Sequence, residues 1–236
     1  MVPQLSFILT EAALETIPDT LQKHPATINY AKKIGRPVYE ILLDKSYHYS
    51  SMRDKKIDMI WKRGRPDIVH LCLMSVLSTP LFLNNLVTVY IHTVNDAVIF
   101  IGEQVRLPKS YERFEGLMIK LFRDKKIKDE IDDRVLLRIE KSVTFGRLVD
   151  EYIRPSRIIG LSSTGIFKHL KTIIDDNMDH KSKEKIAFVV GGFQSGDFSH
   201  EIRERFHMTY SISKEKLEAH VVLARLAYEC EKLLNE

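Results

Sequence analysis

Short apolar runs alternate along the chain with longer segments in which apolar residues recur every third or fourth position. The first pattern predicts β-strands and the second predicts amphipathic helices. The predicted strands cover residues 5–9, 40–44, 86–92, 97–102, 134–140, 157–162, 185–190 and 208–213. Because these strands are rich in Val and Ile and most are separated by helices, we expect an α/β fold with a mainly parallel sheet and helices on both faces.

Three predicted helices bear on function. The segment PDIVHLCLMSVL (66–77) begins with a proline, whose missing N–H costs nothing in a first helical turn. A second helix, from about residue 108 to 123, has one apolar face, and the last, 214–234, is apolar around much of its circumference. No low-complexity linker or internal repeat divides the chain, so we expect a single domain over residues 1–236.

The distribution of charged residues indicates a polyanion as a candidate partner. The 236 residues are 44% hydrophobic and 29% charged, with a formal net charge of +4. Much of the positive charge lies in two runs: residues 53–65 contain six basic and two acidic residues, and residues 106–128 contain eight basic and three acidic residues. Such runs fit either a solvated helix face or a surface that binds a polyanion.

The cysteines and the N-terminal residues indicate the cellular compartment of the protein. Cys72 and Cys230 lie inside apolar stretches, which is typical of buried thiols in a reducing compartment. The first residues lack the basic segment and the cleavage site of a signal peptide. The longest nearly apolar stretch, 71–83, is too short to span a bilayer. We therefore expect a cytoplasmic protein with no membrane partner.

Templates for metal and nucleophile chemistry do not fit. The chain has neither C-x-x-C nor H-E-x-x-H, so no metal site is expected. The segment GLSSTG (160–165) resembles a nucleophile elbow only loosely, because that motif needs glycine where Thr164 stands. A serine hydrolase is therefore not favoured.

Three strand ends in the last third of the chain carry glycines or polar residues. They are IIGLSSTG, VVGGFQSGDF and YSISKEKL. In an open parallel sheet, ligands collect beyond the carboxyl ends of neighbouring strands, so these segments could form one pocket. The glycine loop contains no lysine and lacks the G-x-G-x-x-G spacing, which favours an adenosine held by main-chain groups over a triphosphate. Ordinary tight turns after the strands remain the alternative.

Two basic motifs could face an anion. In KRGRPDI (62–68), a Gly–Pro turn holds Arg65 next to a helix N-terminus, and Asp67 either caps that helix or holds the Arg65 guanidinium. In VRLPKSYERF (105–114), Arg106, Lys109 and Arg113 lie at the start and along one edge of the next helix. That edge is suited to phosphates, although for such a stripe taken alone surface charge for solubility is the more usual explanation.

Taken together, the motifs resemble a known family. RGRPDIVHLCLM, GEQVRLPKSYERFEGLM, VVGGFQSGDF and SISKEKLEAH stand in the order found in small-subunit ribosomal RNA pseudouridine-N1-methyltransferases. These are ribosome-biogenesis proteins of the SPOUT class, and the resemblance covers essentially the whole chain. It implies one α/β-knot domain over residues 1–236, with a C-terminal trefoil knot and an inserted β-hairpin/helix extension that binds RNA.

The resemblance also implies a cofactor and site residues. S-adenosylmethionine is expected at Leu161, Ser162, Gly191, Gly192, Gly196, Ile212, Ser213, Lys214, Glu215, Lys216 and Leu217. RNA contacts are expected at Arg65, Arg106, Lys109 and Arg113, and the catalytic pair is Arg65 with Asp67. Two positions depart from the family pattern. Lys109 replaces an arginine, which loses a bidentate fork, and Lys216 replaces a proline common before Leu217.

The reaction implied is methyl transfer to N1 of a pseudouridine turned out of its stack in small-subunit ribosomal RNA. Asp67 is either the base that accepts the N1 proton or the residue that orients Arg65, and we favour the second role. A homodimer is implied, in which the last helix (Val221, Val222, Leu223, Leu226 and Ala227) forms either the dimer face or part of the core. Ribosome-assembly proteins are further expected partners. The competing hypotheses are a non-catalytic assembly factor and a methyltransferase for uridine in transfer or ribosomal RNA.

Overall fold

A computed structural model describes residues 5–178 and 184–234. The first four residues, part of the segment expected not to be a signal peptide, lie outside the described residues. The helices are α1 (Asp19–Gln22), α2 (Pro25–Ile34), α3 (Lys45–Asp54), α4 (Pro66–Leu77), α5 (Pro80–Leu83), α6 (Tyr111–Asp124), α7 (Phe145–Arg147), α8 (Leu170–Asn177), α9 (His200–Arg203) and α10 (Ala219–Leu234). The strands are β1 (Leu5–Ala12), β2 (Val87–Thr93), β3 (Ala97–Ile101), β4 (Lys126–Lys128), β5 (Val135–Lys141), β6 (Arg157–Phe167), β7 (Ile186–Gly191) and β8 (Met208–Ser211). Short 3-10 turns cover Val38–Glu40 and Ile60–Lys62, and a π-helical stretch covers Leu148–Ile153.

The strands form one eight-stranded sheet in the order β4-β5-β3-β2-β1-β7-β6-β8. The neighbouring pairs from β2 to β8 are parallel, whereas β3, β5 and β4 extend the other edge with antiparallel pairs. The predicted α/β fold with a mainly parallel sheet is therefore confirmed. The antiparallel pairing of β2 with β3 follows from the tight turn between them, which leaves no room for a crossover helix.

Both faces of the central strands are covered. All eight residues of β1 are buried, with Phe7 in one apolar cluster and Ile8 in another on the opposite face. Strand β7 alternates in the same way, Phe188 packing on one side and Val189 on the other. This two-sided burial explains why the central strands are continuous apolar runs and not alternating ones.

Some predicted elements are wrong or shifted. Residues 40–44 were expected to form a strand, but a 3-10 turn ends at Glu40 and a single bridge joins Thr16 to Leu42. Ile41 and Leu43 are buried in a third cluster under α2 and α3, so burial alone accounts for that apolar run. Helix α10 begins at Ala219 and not at residue 214, which leaves the preceding segment free to form a loop.

Cys72 and Cys230 are free and buried, as predicted. Burial raises the pKa of the Cys72 thiol to about 12, so this group is an unreactive part of the core. Within residues 5–178 and 184–234, no helix is both long and apolar enough to cross a bilayer.

Candidate functional site

A cavity of about 290 Å³ lies beside the middle of β6 and the carboxyl ends of β7 and β8. Its walls come from the middle of β6, the glycine loop after β7 (residues 191–198) and the loop between β8 and α10. These are the three segments that the sequence predicted to converge. Of the residues expected to bind a cofactor, those that line the cavity are Leu161, Ser162, Gly191, Gly196, Ile212, Ser213, Glu215, Lys216 and Leu217.

Gly192 and Lys214 do not line this cavity. The Gly192 N–H donates to the Thr10 carbonyl at 2.8 Å, and the Ala13 N–H donates to the Gly192 carbonyl at 2.9 Å. A Cβ at Gly192 would lie 2.8 Å from the Cα of Ala12, closer than packing allows. Gly192 thus fixes the base of the glycine loop to the end of β1, while the Lys214 side chain is exposed.

The tip of the same loop rests on a different part of the chain. Gly196 has φ of +98°, a conformation that favours glycine. A Cβ built there would lie 3.0 Å from Cδ1 of Trp61, and the Ser195 hydroxyl donates to the Trp61 carbonyl at 3.4 Å. The glycine loop therefore contacts the turn that leads into the Arg65 motif.

Asp197 organises the cavity wall, and sequence reasoning missed it. Its carboxylate accepts hydrogen bonds from the hydroxyls of Ser162 (3.1 Å) and Thr164 (2.6 Å) and pairs with Arg203. Burial alone would disfavour the charge, but the bonds from Thr164, from the Phe198 N–H, from Arg203 and from Ser162 together lower the pKa of Asp197. The signal was present in the SGDF motif, where the glycine and not the aspartate was given the role.

The loop before α10 contributes residues to the cavity wall that the sequence pattern had assigned to the start of the last helix. Because the helix begins at Ala219, Glu218 lines the cavity at the end of the loop. Tyr210 and Ser211 at the end of β8 line it as well. Glu215 and Glu218 give this wall two carboxylates, and Lys216 gives it one cation.

Arg65 and Asp67 form the predicted fork at the start of α4. Arg65 Nε lies 2.8 Å from Asp67 Oδ1, and Nη2 lies 2.7 Å from Oδ2. These hydrogen bonds raise the pKa of Arg65 above its ordinary value, and the negative charge of Glu218 adds to the effect. The fork lies at the N-terminal end of α4, shortly after the turn on which the tip of the glycine loop rests.

A second contact brings the other basic motif beside α4. His70 Nε2 donates to the Pro108 carbonyl at 2.9 Å, and the His70 ring stacks on Phe114 with centroids 4.5 Å apart. The cationic edge, defined as Arg106, Lys109 and Arg113, is exposed on this loop and on the first turns of α6. Among the residues that the structure describes, none of the three forms an ion pair with an acidic side chain.

The basic run at 53–65 is only partly a surface feature. Lys62 is buried and pairs with Glu11 at 2.7 Å, and Arg63 holds the buried Glu15 through contacts of 2.7 and 2.5 Å. Two of the six basic residues are therefore neutralised inside the protein. The surface charge available to a polyanion in this run is smaller than the composition suggested.

Comparisons with known proteins identify the family of the chain. The model of the EMG1/NEP1 methyltransferase family matches residues 7–231. The chain belongs to this family. It is 36% identical over 205 residues to the ribosomal RNA small subunit methyltransferase Nep1 of Pyrococcus furiosus, covering 86% of each chain. It is 35% identical over 235 residues to Nep1 of Staphylothermus marinus, covering 100% of this chain and 98% of the relative.

A solved structure gives the same result in three dimensions. The crystal structure of Archaeoglobus fulgidus Nep1 bound to S-adenosylhomocysteine superposes with a TM-score of 0.83 at 31% identity. The match covers 98% of this chain and 99% of that one. The family resemblance inferred from the four sequence motifs is thereby confirmed.

Proposed function

We propose that the protein is an S-adenosylmethionine-dependent methyltransferase that methylates N1 of a pseudouridine in small-subunit ribosomal RNA, and that it acts in ribosome biogenesis. The observation that carries the proposal is the contact between the glycine loop, which lines the cavity, and the turn that precedes the Arg65–Asp67 fork: the Ser195 hydroxyl donates to the Trp61 carbonyl at 3.4 Å. The motif proposed to contact RNA and the pocket proposed to bind the cofactor are thus connected through this turn. The relatives named as small-subunit rRNA methyltransferases, and the neighbour bound to S-adenosylhomocysteine, support the same reaction.

The cavity suits the proposed cofactor chemically. Its walls combine main-chain groups of the glycine loop, the Ser162 and Ser213 hydroxyls, and apolar surface from Leu161 and Leu217. The carboxylates of Glu215 and Glu218 favour a positively charged ligand over a triphosphate. S-adenosylmethionine would supply an electrophilic methyl group there. We propose Leu161, Ser162, Gly191, Gly196 and the loop 212–217 as its binding residues, with Gly192 supporting the loop from behind.

The cationic edge and Arg65 are the proposed RNA-binding residues. Arg106, Lys109 and Arg113 are exposed and free of acidic partners within the described residues, so they can neutralise phosphates. Arg65 retains part of its hydrogen-bonding capacity beyond the fork, and its side chain is 31% exposed. Lys109 offers a point charge where an arginine would offer a fork.

Asp67 is proposed to orient Arg65 and not to accept the N1 proton. Both of its carboxylate oxygens already accept hydrogen bonds from the guanidinium. An acceptor engaged in this way is poorly placed to take up a further proton. The main catalytic contribution of the chain is then alignment of the two substrates.

The finer architecture also belongs to the proposal. We propose one α/β-knot domain, in which the segments from β6 to α10 form a trefoil knot and the segment from β2 to β5 is the RNA-binding extension. The order β1-β7-β6-β8, with α10 packed against β7 and α4, is compatible with this topology. A cytoplasmic location and contacts with ribosome-assembly proteins follow from the same role.

We further propose a homodimer. Leu223, Leu226 and Ala227 of α10 are buried in the core of their own chain, so they do not form the dimer face. Leu71 on α4 and Tyr228 on α10 remain exposed, and these two helices pack together. A sedimentation measurement at micromolar concentration tests the dimer, and a monomer there would refute it.

One assay tests the function. Purified protein is incubated with methyl-labelled S-adenosylmethionine and a small-subunit RNA hairpin carrying either pseudouridine or uridine at one position. We expect label only in the pseudouridine hairpin. Label in the uridine hairpin would indicate a uridine methyltransferase, and tight RNA binding without label would indicate a non-catalytic assembly factor.

A further inference from the structure

Trp61 is the only tryptophan of the chain, and its side chain is 48% exposed. It lies in the 3-10 turn Ile60–Lys62, where the next residue, Lys62, is buried and ion-paired with Glu11. The buried ion pair therefore holds the turn in place, while the Trp61 side chain remains half exposed. Burial of apolar area does not explain an aromatic residue in that position.

The indole is fixed at the rim of the cavity without lining it. One edge of the ring lies against Gly196, and the Trp61 carbonyl accepts a hydrogen bond from Ser195. Gly196 lines the cavity, whereas Trp61 does not. A group stacked on the exposed indole would thus stand next to the pocket and outside it.

Lys45 contacts both the glycine loop and the chain segment that follows Trp61. The Lys45 N–H donates to the Gly64 carbonyl at 2.8 Å, which joins the start of α3 to the turn before Arg65. The Lys45 ammonium lies 3.2 Å from Oε1 of Gln194 in the glycine loop and 5.5 Å from the centroid of the Tyr49 ring. Tyr49 is itself 48% exposed. Exposed aromatic rings set among cations are the usual means of holding unpaired nucleotides.

We infer that Trp61 is a stacking platform for an unpaired RNA base that flanks the methylated nucleotide, with Lys45 and Arg65 beside it to hold the adjoining phosphates. This inference rests on the proposed RNA substrate and adds to it a base-stacking contact. The platform is assigned to the flanking base and not to the reacting one, because a reacting base is enclosed in a pocket whereas the Trp61 ring is open to solvent on one side. A residue that served only to support Gly196 would not need to expose half of its surface.

The single tryptophan makes a direct test possible, because all tryptophan emission comes from this site. The full-length protein is titrated with the uridine hairpin while tryptophan emission and the anisotropy of labelled RNA are both recorded. We expect emission to be quenched along the same saturation curve as the anisotropy. A fully paired duplex of equal length should bind more weakly and quench little. RNA binding with unchanged emission would overturn the inference.

Two variants separate stacking from support of the glycine loop. Trp61→Ala should weaken hairpin binding about tenfold or more, since loss of one base–aromatic stack has an effect of this order. Trp61→Phe should restore most of the binding. Calorimetry with S-adenosylhomocysteine should show less than about threefold change for either variant. Equal losses for hairpin and S-adenosylhomocysteine, unrelieved by phenylalanine, would assign Trp61 to loop support and refute the platform.

A matched control is Tyr39→Ala, which removes another exposed aromatic residue away from the glycine loop. It should leave hairpin affinity unchanged, and a loss as large as that of Trp61→Ala would count against a specific site. The methyl-transfer assay is scored separately. Quenching without methyl transfer would refute the proposed reaction and leave the platform standing, whereas methyl transfer without quenching would do the reverse.

Discussion

Lys62 Nζ lies 2.7 Å from Glu11 Oε1, and both side chains are only 5% exposed. The second oxygen of Glu11 accepts the Ser199 N–H at 3.2 Å, and the Lys62 ammonium stands 4.7 Å from the centroid of the Phe193 ring. One buried ion pair therefore joins the end of β1, the turn before the Arg65 motif and the glycine loop. The ion pair thereby connects the glycine loop, which lines the cavity, to the turn that precedes Arg65 and Asp67.

Replacing Lys62 with methionine should destabilise the protein strongly. The substitution leaves the Glu11 carboxylate buried without its partner, which typically costs about 3–5 kcal/mol of unfolding free energy. Urea denaturation of both proteins measures the difference. The double variant Glu11→Leu with Lys62→Met removes both charges and should recover most of the loss. A single-variant cost below about 1 kcal/mol would show that the pair is not holding the fold.

Asp67→Asn should retain most of the turnover on the pseudouridine hairpin. The amide oxygen still accepts one hydrogen bond from Arg65, so a residue that only orients the guanidinium is largely replaced. Loss of a general base would instead lower kcat by about 10² to 10⁴ at unchanged RNA affinity. Single-turnover methyl transfer and RNA binding, measured side by side, distinguish the two roles. Arg65→Lys serves as the comparison variant, since it keeps the charge and loses the fork.

Asp197→Ala should weaken binding of S-adenosylhomocysteine about tenfold or more. The carboxylate holds the hydroxyls of Ser162 and Thr164 and the Arg203 side chain, and bonds to charged groups are the strong ones. Calorimetry measures the change in affinity. Hairpin binding through the cationic edge should be unaffected, and an equal loss of RNA binding would indicate general unfolding of the site.

Protonation of His48 should lower the free energy of unfolding in mild acid. Burial lowers the pKa of His48 below 6.5, although the backbone hydrogen bond and the charge at Asp44 partly oppose the shift. The unfolded chain therefore takes up a proton at a higher pH than the folded one. Stability from this group is complete above pH 6.5 and falls as the pH drops below that value.

Urea denaturation at several values between about pH 7 and pH 5 tests this expectation. The unfolding free energy of the parent protein should decline across the window. His48→Gln keeps an acceptor for the Asp44 N–H but cannot titrate, so its decline should be shallower. Equal slopes for the two proteins would contradict a role for His48.

Local patterns predicted the sheet and the pocket because both depend on short segments. The Val- and Ile-rich runs of β1 and β7 are sufficient to indicate buried strands, and the glycines at 191–196 mark where the backbone must turn. The run at 40–44 shows the limit of the same signal. Its apolar residues fill a small cluster beneath α2 and α3, and a short apolar run does not indicate whether it pairs with a sheet.

Contacts between distant segments could not be predicted in this way. Glu11 and Lys62 are 51 positions apart, and nothing near Glu11 in the sequence indicates that its carboxylate is buried with a partner. The hydrogen bond from His70 to Pro108 spans 38 positions. Such pairs arise from the order of strands in the sheet, which sequence periodicity does not specify. The His70–Pro108 bond nevertheless determines how the two basic motifs lie beside each other.

If the cationic edge binds RNA as proposed, the His70–Pro108 bond has a consequence for selectivity. It fixes the loop that carries Arg106 and Lys109 before any nucleic acid arrives, so the spacing of these cations is set by folding. A flexible basic tail adapts to any polyanion, whereas cations at fixed positions bind tightly only to a backbone whose phosphates have the matching spacing. Discrimination among nucleic acids would then come from the shape of their backbone, ahead of any contact with their bases.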